Sequence, residues 1–303
     1  MLMNQKKSAF WKSIFNQMFK NITQQKVHYA LRIASALCFI GHGAFGIITK
    51  AAWLNYFGVF GIGHTLSYQL MPVVGLLDIL FGILILVYPV RAAILWLVIW
   101  GFVTALLRPL SGEPVFEFLE RFGNFGTPLA LLILSGGIGR NIKDLFSPIK
   151  IKDSIDVKTW ANVVIVLRFV VFFVFIGHGF LNLMEKTSLV NQYIGLGFIH
   201  PAETAQIIGA FEIVAALSVL LRSIRPFLLV LFIWKIGSEL FYPQYELFEW
   251  VERSGSYGAI LALWLTLEAF SAKTKSVYYR RKAATQKSNN YTSSHSLTSK
   301  NYT

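Results

Sequence analysis

Twenty residues beginning at Leu31, LRIASALCFIGHGAFGIITK, return 136 positions later without a gap as LRFVVFFVFIGHGFLNLMEK. Eight of the twenty are identical. Shared hydrophobicity accounts for the leucine, phenylalanine and isoleucine, but not for Arg32/Arg168, His42/His178 or Lys50/Lys186. The same offset pairs Asn55 with Asn191 and His64 with His200. Two residues of slippage then align Gly75 and Asp78 with Gly209 and Glu212. That register also aligns Arg91 with Arg225, Trp100 with Trp234, Thr104 with Ser238 and Pro109 with Pro243. A further two bring FEFLERFGNFG (from Phe116) onto FEWVERSGSYG (from Phe248). Whatever the first half folds into, the second half is expected to fold into as well.

The repeated unit is apolar. Charged residues are only 14% of the chain and apolar ones 55%. So few charges cannot build the surface of a soluble protein of this size, and a bilayer requires no such surface. The expected fold is therefore all-α and polytopic, with spans near 30–48, 70–89, 92–107 and 125–139 in the first half. The second half gives 165–184, 204–221, 226–242 and 256–270. Segment 51–62, aromatic and glycine-rich, is placed at the outer interface. Four spans return the chain to its starting side, so the eight transmembrane helices form two parallel four-helix repeats.

The net charge of +13 follows the same plan. Residues 1–28 carry Lys6, Lys7, Lys12, Lys20 and Lys26 and no acid, and residues 273–303 are again basic without acids. The linker 141–160 and the corners at Arg91, Arg222 and Arg225 add to this set. Glu113, Glu117, Glu120 and Glu246, Glu249, Glu252 fall on the opposite side. Excess lysine and arginine mark the cytoplasmic face, so both termini are expected inside, in the inner membrane if the cell is bacterial. The charge reads as topology and contact with the lipid bilayer, not as nucleic-acid binding. Phe10, Trp11, Ile14, Phe15, Met18 and Phe19 recur at helical spacing among lysines, as in a helix lying on the membrane surface. The Ser-, Thr-, Asn- and Lys-rich tail is expected to be disordered. The single cysteine, Cys38, excludes an intrachain disulfide.

Ionisable residues inside a span cost about 2.5–3.5 kcal/mol on insertion scales and usually face the bundle with a partner. At a rise of 1.5 Å per residue, His42 lies about 15 Å beyond Arg32 and about 12 Å before Lys50. Arg32 and Lys50 can reach opposite interfaces, whereas His42 stays near mid-bilayer. Asp78, early in the returning second span, lies at a similar depth. His42–Asp78 and its copy His178–Glu212 are thus candidate proton-handling pairs. The flanking glycines of GHG admit a second helix, so these pairs can also be purely structural. The ERFG and ERSG segments read most simply as solvated interfacial helices, and Lys235 and Glu239, present only in the second half, are spaced to pair with each other. No ligand spacing reads as a metal site, and there is no dinucleotide fingerprint, phosphate-binding loop or haem-attachment motif.

The order Arg, IGHG and Lys in the first span, G-x-x-[DE] in the second and a tryptophan in the third resembles the DoxX-like family. The chain resembles two such four-helix units fused, at 29–140 and 161–272. The resemblance implies a compact membrane unit that serves a redox enzyme, in some relatives as a subunit of thiosulfate:quinone oxidoreductase. It carries over to Arg32, His42, Lys50 and Asp78 and to Arg168, His178, Lys186 and Glu212. The expected function is an accessory or subunit of a quinone-linked membrane redox system, with a membrane redox protein as partner. A proton-coupled small-solute transporter and a non-catalytic scaffold are the alternatives. His42, Asp78, His178 and Glu212 are the candidate proton carriers. Arg32, Lys50, Arg168, Lys186, Trp100 and Trp234 are the candidate cofactor contacts, with quinone as the candidate cofactor.

Overall fold

The computed structural model describes residues 2–151, 155–240 and 247–268. The described residues are almost wholly helical. In chain order they form α1 (Leu2–Ile47), α2 (Trp53–Gly58), α3 (His64–Val87), α4 (Arg91–Leu110), α5 (Val115–Glu120), α6 (Phe122–Leu134) and α7 (Ile142–Phe146). There follow α8 (Val157–Leu183), α9 (Thr187–Gly195), α10 (Pro201–Leu221), α11 (Arg225–Leu240) and α12 (Leu247–Glu252). A last helix, α13, covers 254–268. Among the described residues five stretches are long and apolar enough to cross a membrane: Thr23–Ile47, His64–Val87, Arg91–Leu110, Val157–Leu183 and Pro201–Leu221. The basic N-terminal segment is continuous with the first of these, inside one unbroken α1. The amphipathic face expected from Phe10 to Phe19, the tail 273–303 and the Pro243 match lie outside the described residues or side chains.

The helices sort into an inner and an outer set. α13 is buried along nearly its whole length, as is α6, whose buried residues include Asn124, Thr127 and Leu131. α1 packs on α3, α6 and α12, while α8 packs on α10, α5 and α6. The outer helices turn an apolar face outward: Val73, Leu76, Leu80 and Ile83 on α3 are exposed, at helical spacing. Such a face suits lipid and would be a liability in water.

The fourth expected span of each half is not a simple rod. Segment 125–139 was expected to cross the bilayer, but α6 has 13 residues. At 1.5 Å per residue that is about 20 Å, short of a hydrocarbon core of about 30 Å. The chain instead opens α5 after Pro114, stops at Arg121 and restarts as α6. The second half repeats this break at Arg253, between α12 and α13. The short helices do not lie on the surface. α5 presses its backbone into α8 at Gly177, and α12 presses into α1 at Gly41. A methyl group on Gly177 would stand 2.2 Å from the backbone nitrogen of Glu120, and one on Gly41 2.3 Å from that of Glu252. The other glycine of each Gly-His-Gly admits the next helix of its own half: a methyl on Gly43 would meet the Gly75 carbonyl oxygen at 2.4 Å, and one on Gly179 the Gly209 oxygen at 2.9 Å.

The opposite end is tied through the basic corners. Arg32 donates from Nε to the Ile85 carbonyl (2.7 Å) and also bonds the Leu86 carbonyl, holding the last turn of α3. Arg91 donates to the carbonyls of Asp144 (3.0 Å) and Ser135 (3.1 Å), anchoring the linker helix α7. Backbone N–H groups of Asn141 and Arg140 bond the Asp144 carboxylate and keep its pKa below the usual range.

Gly41→Ala and Gly177→Ala each force backbone against backbone, where overpacking costs about 1–3 kcal/mol. Thermal unfolding of the purified chain in detergent is expected to fall for both. Gly58→Ala, with open space at its Cβ, is expected to leave it unchanged.

Candidate functional site

Each imidazole sits where three helices meet, because the glycines on either side of it let two backbones approach. His42 Nδ1 lies 2.7 Å from Asp78 Oδ2, and Asp78 is buried. His178 Nδ1 lies 2.5 Å from Glu212 Oε2, and both are buried. A carboxylate on Nδ1 holds the proton there and leaves Nε2 to face elsewhere.

Around these pairs lies a buried set of charges. The reading of the ERFG and ERSG segments as solvated helices is overturned: Glu117 is 1% exposed, Glu120 3%, Glu249 8% and Glu252 6%. Their compensation comes from one adjacent arginine and from residues remote in sequence. Arg121 donates to Glu117 (2.9 Å) and Glu120 (3.1 Å). Arg253, from the other half, pairs with Glu120 and with Glu239 (3.0 Å). Lys50 reaches across to Glu249 on α12, and Lys186 to Glu117 on α5. Lys235 pairs with Glu239 at 2.6 Å, one helical turn apart. Burial pushes the Glu120 carboxyl upward, but the guanidinium groups of Arg253 and Arg121 outweigh it and hold the pKa well below the usual range.

The two halves then diverge. Beside His42 opens a cavity of about 220 Å³. Its walls are aromatic, with Trp53, Tyr56, Phe57, Phe60 and Trp100. Its polar lining is His42, Thr104, Arg108, Arg121, Asn124 and Glu252. The rings of His42 and Trp53 lie 4.7 Å apart, tilted by 31°. In the second half the aligned positions carry polar groups that bond to one another. Gly46 is matched by Asn182, Phe57 by Tyr193, Gly101 by Lys235 and Ala105 by Glu239. Tyr193 Oη donates to Asn182 Oδ1 (2.6 Å), and Asn182 Nδ2 donates to the His178 carbonyl (3.1 Å). Trp234 Nε1 donates to Glu212 Oε1 (3.1 Å), so both Glu212 oxygens are engaged. Trp100 instead stacks on Trp96 and faces the cavity.

The other residues singled out in the sequence are distributed as follows. Lys50 and Lys186 belong to the charge network rather than to open interfaces. Arg168 does not repeat the helix-end bonds of Arg32, and its Nε is buried without a hydrogen-bond partner. His64 and His200 are exposed. Glu120, His178 and Glu239 bring ligand-type atoms within 4.8 Å of one another. Arg121, Arg253 and Lys235 already compensate those carboxylates, so the set reads as ion pairs and not as a cation site. Glu252 and Arg121 were not anticipated as cavity residues. The signal for them was the acid–arginine step kept in both ERFG and ERSG. Comparison with family models, curated proteins and solved structures finds no match.

Removing one partner of a buried ion pair costs about 3–5 kcal/mol. Glu120→Gln is expected to destabilise the chain on that scale in denaturant or thermal unfolding. The pH dependence has a definite sign. A depressed carboxyl pKa stabilises fully above the unfolded-state value of about 4.3, and that stabilisation is lost as pH falls below it. The midpoint of unfolding is expected to be level near neutrality and to drop steeply below about pH 4, less so in Glu120→Gln.

Proposed function

We propose that this chain is a DoxX-like membrane protein of eight spans, with two parallel four-helix units at 29–140 and 161–272 and both termini cytoplasmic. We read its function as binding a quinone-class ligand for a membrane redox system whose electron carrier is another protein. The parallel-unit reading draws support from the matched His–carboxylate bonds, the matched breaks at Arg121 and Arg253 and the matched glycine contacts. The inward placement of the basic corners draws support from Arg91, which ties the α4 corner to the linker.

The observation that carries the functional reading is the cavity beside His42. At about 220 Å³ it is smaller than the usual drug-sized site of about 300–1,000 Å³, and it suits one flat ring. Trp53, Phe57 and Trp100 offer faces for such a ring, and apolar α3 and α4 offer an approach from lipid. Quinone chemistry couples electrons to protons, and the His42–Asp78 pair at the cavity is a protonatable couple already joined by a hydrogen bond. In this reading His42 bonds a ring oxygen and Asp78 holds its tautomer. His178, Glu212 and Trp234 form the locked copy that fixes the second half. Lys50 and Lys186 neutralise the acidic helices, and Arg32 secures the end of α3.

The test is the content of the purified chain. Organic extraction of protein taken from native membranes in mild detergent is expected to yield about one quinone per chain. In His42→Gln the yield is expected to fall about tenfold, the scale of one lost hydrogen bond to a charged or polarised group. A chain that carries no quinone, but supports solute counterflow in liposomes along a proton gradient, would replace this reading with that of a carrier.

A further inference from the structure

Glu252 differs from its copy. Glu120 has Oε2 bonded by Arg121 and Oε1 by Arg253. Glu252 is equally buried, at 6% exposure, and lines the cavity, yet among the described residues it has no hydrogen-bond or ion-pair partner. The nearby cations are occupied: Arg121 with Glu117 and Glu120, Arg108 with Glu113 and Glu117. A carboxylate buried without a partner is costly, and this one faces a space that a ligand can fill.

The polar lining is mixed: Arg108, Arg121 and Asn124 supply donors, whereas three groups beside them supply acceptors. With Nδ1–H given to Asp78, His42 in its neutral form presents Nε2 as an acceptor. Thr104 Oγ1 spends its hydrogen on the Gly101 carbonyl (3.2 Å) and offers only lone pairs. Glu252 in its ionised form accepts only. A ring carrying carbonyl oxygens would set acceptor against acceptor at these three groups. A ring carrying hydroxyl groups would satisfy them. The two guanidinium groups in the same lining argue against a cationic ligand.

We propose that the cavity selects the reduced, dihydroxy-aromatic form of its ligand, the quinol, with one hydroxyl donating to Glu252. This rests on the quinone-class reading above and adds to it which redox form is held and by which residue. Glu252 is the acceptor in the half that carries the cavity, and Glu120, sealed by two arginines, has no such role.

The experiment is anaerobic calorimetric titration of the full chain in lipid nanodiscs with three probes: tetramethyl-1,4-benzoquinone, its quinol and the dimethyl ether of that quinol. The quinol is expected to bind about tenfold tighter than the quinone, with the ether, which lacks donors, resembling the quinone. Glu252→Gln is expected to reduce the quinol preference from about tenfold to about unity. Equal affinity for quinol and quinone in the unaltered chain would overturn the proposal while leaving the ligand class standing, and that comparison holds even if the variant fails to fold. A quinol preference that survives Glu252→Gln would overturn the role of Glu252. Absence of binding by all three probes would overturn both this proposal and the reading beneath it.

Discussion

The structure depends on backbone-to-backbone contact at the two Gly-His-Gly segments. Glycine on one side of each histidine admits the second long helix of the same half. Glycine on the other side admits the short acidic helix of the opposite half. Any larger residue there would hold the acidic helix away, and Glu117, Glu120, Glu249 and Glu252 would return to water. The close approach buries them instead, at a cost in desolvation. Lys50, Lys186, Arg121 and Arg253 offset it for Glu117, Glu120 and Glu249, three of these cations reaching across from the other half of the chain. The two halves therefore interlock through charge as much as through packing. Neither would keep its acids buried alone.

Within this shared frame the two halves differ around their histidines: a cavity lies beside His42, and hydrogen bonds from Asn182, Tyr193 and Trp234 surround the His178–Glu212 pair. Lys235 and Glu239 stand where the first half has Gly101 and Ala105, and Asn182 and Tyr193 stand where it has Gly46 and Phe57. Of these positions only Phe57 lines the cavity, and its copy Tyr193 is tied by hydrogen bonds to Asn182 and through it to His178. The second half thus acts as the wall against which the cavity of the first is built, and it contributes Glu252 to the lining.

The sequence disclosed the parts of this that depend on local periodicity and depth. Counting residues from Arg32 to Lys50 put His42 near mid-span, depth in the returning second span put Asp78 beside it, and the repeat put Glu212 beside His178. Helix content followed from the apolar runs, and the Lys235–Glu239 pair from its spacing. The burial of the acidic helices was not readable, because glutamates at i and i+3 with an arginine at i+4 look like a solvated face. Their partners Lys50, Lys186 and Arg253 lie about 70 to 200 positions away or in the other copy, where no local pattern reveals them. The break at Arg121 also escaped notice, since apolar content alone does not report where a helix stops.

On the proposed function, one half of the chain holds a flat aromatic ligand and the other does not. Photolabelling with an azido-quinone in native membranes, followed by peptide mapping, tests it most directly. Label confined to peptides containing Trp53 to Phe60 and Trp100 to Arg108 agrees with the account. Label shared equally with Leu189 to Tyr193 and Trp234 to Glu239, or found on neither set, contradicts it.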